Sequence, residues 1–103
     1  MLPFLTSSFM IDVQNVSILR LDFEESTLTV DLSDGRTIQV PLEWYPRLLH
    51  ASENERNNWR LIGNGEGIHW ETLDEDISLL DIIFGRPSGE SKSSLQKWLD
   101  SRK

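Results

Sequence analysis

Residues 65–78, GEGIHWETLDEDIS, hold the densest group of chemically capable side chains in this 103-residue chain. His69 stands beside Trp70, and Glu71, Asp74, Glu75 and Asp76 follow it closely. A histidine among carboxylates is raw material for a divalent-metal site or a general acid–base pair. Metal sites favour histidines paired at strand or helical spacing, and neither His-x-His nor His-x-x-x-His occurs; His50, the second histidine, stands apart. The expectation is therefore no metal and no cofactor. A metal-dependent or acid–base enzyme centred on His69 and its neighbouring carboxylates stays as the alternative. If Ile68 and Trp70 point inward from a strand, alternation sends the His69 side chain outward.

Two further patterns bear on catalysis. GNGEG at 63–67 has the look of a phosphate loop, but such a loop feeds a helix whose amides meet the anion. Here a short extended segment follows, without Lys-Ser or Lys-Thr, so the expected role is a turn between two extended segments. Serines are plentiful, yet none lies in a Gly-x-Ser-x-Gly elbow. No catalytic residue is assigned, and the chain is expected not to be an enzyme.

The acidic run has a structural explanation. With Ser78 as N-cap, Asp81 falls at the third helical position, and Ile77 and Ile82 take the places of a hydrophobic staple. Asp74, Glu75 and Asp76 then precede the positive end of the helix, where a carboxylate is favoured by about 0.3–1 kcal/mol. Gly85 suits the left-handed residue that closes this helix, with Pro87 just beyond.

The elements that must position these residues are legible from periodicity. VSILRLDFE (16–24) puts Leu19, Leu21 and Phe23 on one face; TLTVDL (27–32) puts Leu28, Val30 and Leu32 inward; RTIQVPL (36–42) aligns Ile38, Val40 and Leu42. Asp34–Gly35 carries the signal of a two-residue type I′ turn, and Glu25–Ser26 marks the earlier turn. The result is a three-stranded antiparallel meander, apolar on one face, which needs a cover. Pro46 starts a short helix presenting Leu48 and Leu49. Ser52 with Glu55 forms a capping box for a second helix, after which Trp59 leads into an extended segment and Ile68–Trp70 forms a short strand. The expected class is α+β: the meander plus one or two short strands, covered on one face by short helices.

Residues 1–9 read as a loose N-terminal extension, with Met10 a candidate alternative start, and 10–85 as a single α+β domain. Residues 86–103 read as a linker and a short amphipathic C-terminal helix. In that tail Ser93 and Gln96 have capping spacing, and Leu95, Trp98 and Leu99 share one helical face. The stripe either folds back on the domain or enters a partner's groove.

The net charge is −7 and there is no cysteine. Excluding disulfides and thiolate sites, and lacking a signal peptide or a membrane-length apolar run, the chain is expected in the cytoplasm. Its charge repels a phosphate backbone and attracts a basic protein. A nucleic-acid-associated regulator acting through Lys92, Lys97, Arg102 and Lys103 is a further alternative, but no helix-turn-helix pair supports it.

From about Val13 to Gly85 the chain resembles domain-of-unknown-function family 2442. The resemblance rests on LSDGRTIQVPLEWYPRLLHAS, on ERNNWRLIGNGEGIHWETLDEDIS and on the apolar helix ending at Gly85. It implies a small α+β domain with a meander sheet, and no established activity. It also implies, for some members, an antitoxin role in two-gene modules with a small protein of domain-of-unknown-function family 4160. Other members carry a C-terminal helix-turn-helix domain, for which the 18 residues after Gly85 are too few. The combined expectation is a non-enzymatic, antitoxin-like partner of a small basic protein. Its contacts would be Glu71, Asp74, Glu75, Asp76, Leu95, Trp98 and Leu99. An exposed meander edge can also pair with a second copy in a homodimer.

Overall fold

The computed structural model describes residues 15–103, and the expected extension at 1–9 lies outside the described residues. The first sheet is an antiparallel meander of β1 (Ile18–Glu24), β2 (Thr27–Leu32) and β3 (Thr37–Pro41), in the order β1-β2-β3. Leu28, Val30, Leu32 and Val40 turn into the core as their alternation requires. The outward face carries a polar ladder: Arg20 pairs with Asp31 at 2.9 Å, and Asp31 accepts from the Thr37 hydroxyl at 2.8 Å.

Two details differ from simple alternation. The β1–β2 register shifts between Ile18 and Arg20, so Ile18 and Leu21 are buried together while Leu19 is 54% exposed. A bulge adds one residue and resets the face of everything before it, which period-two counting does not detect. The β2–β3 connection is not a two-residue type I′ turn. Gly35 alone has positive φ (93°), its N–H donates to the Leu32 carbonyl, and Leu32 N–H donates to Arg36, enclosing three residues. Asp34 accepts from the Arg36 amide and guanidinium, and the former holds its carboxyl below the usual range more than the latter does.

A 3-10 turn (Leu42–Trp44) leads to α1 (Pro46–Leu49) and α2 (Glu53–Asn57). Leu48 is fully buried but Leu49 is 40% exposed, because one turn of helix aims adjacent residues about 100° apart. The capping box on α2 is complete: Ser52 Oγ accepts from the Glu55 amide, and Glu55 accepts from the Ser52 amide.

The extended segments beyond the first meander number three: β4 (Trp59–Ile62), β5 (Gly67–Trp70) and β6 (Glu75–Ser78), a second antiparallel meander in the order β4-β5-β6. The acidic run forms a strand here instead of a helix lead-in, since a turn at Asp74 (φ 51°) folds it back along β5. The glycine loop joins the two sheets. The Gly65 carbonyl accepts from the Ile18 amide at 2.8 Å, and a Cβ at Gly65 would stand 2.6 Å from the Ile18 carbonyl oxygen. That contact, together with φ of 84°, requires glycine there.

Trp70 is the centre of the shared core. It is fully buried, donates Nε1–H to the Arg56 carbonyl at 2.9 Å, and meets Phe23 of the first sheet edge-on at 6.5 Å. Trp59, its cross-strand partner, packs at the margin of the same cluster. Helix α3 (Leu79–Phe84) follows β6 directly. Ser78 Oγ accepts from the Asp81 amide at 3.1 Å, Ile77 and Ile82 are both buried, and Gly85 closes the helix at φ 68°. The Asp81 carboxylate does not complete a reciprocal box; it pairs forward with Arg86 at 3.0 Å. The last helix, α4 (Lys92–Ser101), is capped by Ser91 and not by Ser93, since Ser91 Oγ accepts from the Ser94 amide. Among the described residues no helix is long and apolar enough to cross a membrane.

Candidate functional site

The residues expected to act together are separated by the fold. β5 buries Ile68 and Trp70 completely, and the His69 side chain turns to the opposite face with 15% of its surface exposed. There it lies in a cross-strand row between Arg60 of β4 and Asp76 of β6. Its Nδ1 hydrogen-bonds the Asp76 carboxylate, and its Nε2 lies 3.3 Å from a Glu71 carboxylate oxygen. The Asp76 hydrogen bond first, and the Glu71 one second, raise the imidazole pKa, with burial opposing them. Both nitrogens are thus turned to the protein's own carboxylates, which leaves neither directed at a substrate. Among the described residues no group of three or more His, Cys, Asp or Glu side chains is arranged to hold a metal ion.

The other two carboxylates of the run go elsewhere. Glu75 alternates away from Asp76 and is half-buried, and among the described residues one of its carboxylate oxygens has no hydrogen-bond partner. Burial is the main cause that pushes its carboxyl pKa up. The buried Tyr45 hydroxyl likewise has no partner among the described residues, and burial, reinforced by Asp81 and Glu75, pushes its pKa up to about 12. Asp74 borders a hollow of about 630 Å³, whose wall includes Arg47, Ser94, Lys97 and Trp98. The four acids therefore do not form one patch: strand alternation and the turn at Asp74 send them three ways.

That hollow lies beside the seat of the tail helix. Leu95, Trp98 and Leu99 face the domain and are half-buried, and Trp98 packs against the core. Two guanidinium groups lie over its indole, Arg47 at 5.2 Å and Arg102 at 4.4 Å from the ring centre. Arg47 is also fixed by Glu90: Nε lies 3.0 Å from each carboxylate oxygen and Nη2 2.8 Å from one, while Nη1 donates to the Leu73 carbonyl at 2.9 Å. Arg102 forms a two-pronged pair with Glu55 at 2.9 and 2.7 Å. That pair, followed by the Ser52 amide, holds the Glu55 carboxyl at about 2.

Sequence reasoning placed Trp98 on the correct helical face but missed Arg47, Glu90 and Arg102. The Arg47–Glu90 pair spans 43 positions and the Arg102–Glu55 pair 47, so no local spacing announces them. The available signal was Arg102 four residues after Trp98, at the spacing that brings side chains together on one helical face. Glu55 therefore has two roles, the expected cap and an unexpected tether.

Fold and site together define a small α+β domain of two three-stranded meanders, closed by a C-terminal helix that docks on its own chain. The chain belongs to the family described as Protein of unknown function (DUF2442), whose match covers residues 18–88. Helix α4 lies beyond the matched residues. The chain is similar to a protein of unknown function from Rhodospirillum rubrum ATCC 11170, known from a crystal structure. The two share 28% identity at a TM-score of 0.64, over 79% of this chain and 98% of that one. It also shares its fold with an uncharacterized protein from Chromobacterium violaceum, known from solution NMR. Identity there is 20% at a TM-score of 0.64, over 94% of this chain and 87% of that one. No curated protein matches the sequence.

Proposed function

We propose that this protein is a non-enzymatic, cytoplasmic interaction module that binds a small basic protein through its acidic surface. The observation that carries this reading is the disposition of charge. Of ten lysines and arginines, six (Arg20, Arg36, Arg47, Arg86, Arg102 and Lys103) are paired with the protein's own carboxylates. Arg56 is turned onto the Leu48 and Leu49 carbonyls. Meanwhile Asp22, Glu24, Glu25, Glu43, Glu53 and Glu66 are exposed. Internal pairing of the cations leaves the outward field negative, which steers a basic partner and discriminates against an acidic one. The engagement of both His69 nitrogens supports the non-enzymatic half of the reading.

The fold changes which surface serves. The Leu95–Trp98–Leu99 stripe is occupied by its own domain, so the partner is met by carboxylates alone. The finer form of the proposal is antitoxin-like neutralisation of that partner. Tagged protein recovered from its native host should carry a small basic protein at fixed stoichiometry, released as salt is raised. A clean monomer from the same lysate, under low salt, would sink the proposal.

A further inference from the structure

We infer that the outward face of the second sheet carries a slot for one arginine or lysine side chain, an inference that gives the basic partner proposed above its point of entry. Ile62, Gly67 and Ser78 stand opposite one another on β4, β5 and β6. The middle member of this row has no side chain, and all three border a hollow of about 320 Å³. The bare backbone of Gly67 is itself covered: a Cβ there would lie 3.1 Å from the Ile62 side chain and 3.1 Å from the Ile77 carbonyl oxygen. Lying across Gly67, the Ile62 side chain gives the hollow an apolar wall.

Its remaining walls select charge. Glu66, from the loop between β4 and β5, and Asp76, from β6, both border the hollow and both are exposed. One oxygen of Asp76 is held by His69, which fixes the carboxylate while its other oxygen remains to accept. Among the described residues no cationic side chain lines the hollow. His69 is hydrogen-bonded to Asp76 and Glu71 outside the hollow, and Arg60 stands one row away on β4. An apolar wall beside two carboxylates matches a side chain with an aliphatic stem and a cationic head: the stem lies on Ile62, and the head reaches Glu66 and Asp76. Other acidic places fit less well. The hairpin tip at Glu24 and Glu25 is bordered by Thr27 and Gln39 and has no apolar wall, and the hollow beside Trp98 includes Arg47 and Lys97.

The test is an NMR titration of the isotope-labelled full chain with an acetylated, amidated Gly-Arg-Gly peptide. Its counterpart carries citrulline, which keeps the shape and removes the charge. Saturating shifts should centre on the amides of Ile62 to Gly67 and Asp76 to Ser78, and citrulline should weaken binding by at least about tenfold. Glu66→Gln, a change at an exposed position, should weaken it several-fold, while Glu71→Gln, outside the hollow, should not. Shifts centred on Glu24 and Glu25, or equal binding of citrulline, would overturn the slot. A Glu66→Lys chain that still captures the native basic partner at full strength would also overturn it, leaving the interaction reading intact. A slot that saturates with peptide in a protein that captures no partner would do the reverse.

Discussion

Two seams hold this small protein together, and they are made of different materials. The seam between the sheets is apolar and closed: Trp70, Ile68, Leu28 and Val30 have no exposed surface, and Trp70 has its single polar atom satisfied by the Arg56 carbonyl. The seat of the tail helix is charged and partly wet. Arg47 and Glu90 retain 16% and 9% exposure, Arg102 and Glu55 retain 29% and 23%, and the Trp98 ring carries two guanidinium groups. Apolar burial responds little to pH or to moderate salt, whereas ion pairs near the surface respond to both. The two seams should therefore fail separately, the second before the first.

The most severe way to break the comparison is to attack the closed seam. Trp70→Ala leaves a cavity between the sheets and an unpaired Arg56 carbonyl, and should cost about 3–5 kcal/mol. For a domain this small that is a large share of total stability. The whole chain, tail included, should unfold at lower denaturant in one transition by circular dichroism. A variant in which only the tail loosens would show that the sheets do not depend on Trp70.

The charged seat should yield to a smaller and more local change. Arg47→Ala leaves Glu90 half-buried without its partner, frees the Leu73 carbonyl and removes one guanidinium from the Trp98 ring. The expected cost is about 2–3 kcal/mol. Hydrogen exchange separates the two seams directly: amides of 92–101 should lose protection while those of Leu28 and Val30 keep theirs. Equal loss in both places would merge the two seams into one.

How much of this was legible beforehand follows the same division. Seam-forming residues announced themselves because burial imposes a period: Leu28, Val30 and Leu32 alternate, Ile68 and Trp70 flank an outward histidine, and Ser78 and Gly85 bracket their helix. Even there, one bulge at Ile18 to Arg20 was enough to exchange Leu19 for Ile18. The β6 strand was read as a helix lead-in because Asp74, Glu75 and Asp76 suit a helix N-terminus as well as they suit an exposed edge. What decided between them was the turn at Asp74, a residue in left-handed conformation without being glycine. The seat was almost illegible. Its pairs join residues 43 and 47 positions apart, and no periodicity links an arginine to a glutamate at that range. In the candidate site, alternation gave the direction of His69, but its fixing by both Asp76 and Glu71 required the register of β6 and the path of the turn.

Acid offers a gentler separation of the seams. Glu55 is held at about 2, below its ordinary 4.5, by Arg102 and then by the Ser52 amide, and Glu90 is lowered chiefly by Arg47. A carboxylate with a lowered folded-state pKa contributes stability above its unfolded value and loses it as pH falls through its folded value. The seat should therefore weaken between about pH 4.5 and 2, reported by a change in Trp98 emission, with sheet ellipticity retained through the early part of that range. Arg102→Ala should move the onset upward, since Glu55 would no longer be held so low. Coincident loss of both signals at every pH would deny the seat its independence.

The histidine supplies a pH response of the opposite sign, on the second sheet itself. The Asp76 and then the Glu71 hydrogen bonds raise His69 above its ordinary 6.5. A group raised in the folded state contributes stability that is full below its unfolded pKa and is lost as pH rises through the folded one. The stability difference between the wild-type chain and His69→Gln should therefore be widest below about pH 6.5 and should close on the alkaline side, by denaturation at fixed ionic strength. This is the smallest of the expected effects, because the partners are exposed carboxylates and solvent screens them. Its sign is nonetheless decisive. A difference that widened toward alkaline pH would mean that the neutral imidazole is the form the fold prefers, which would free one ring nitrogen to act as a base and restore the acid–base reading of GEGIHWETLDEDIS.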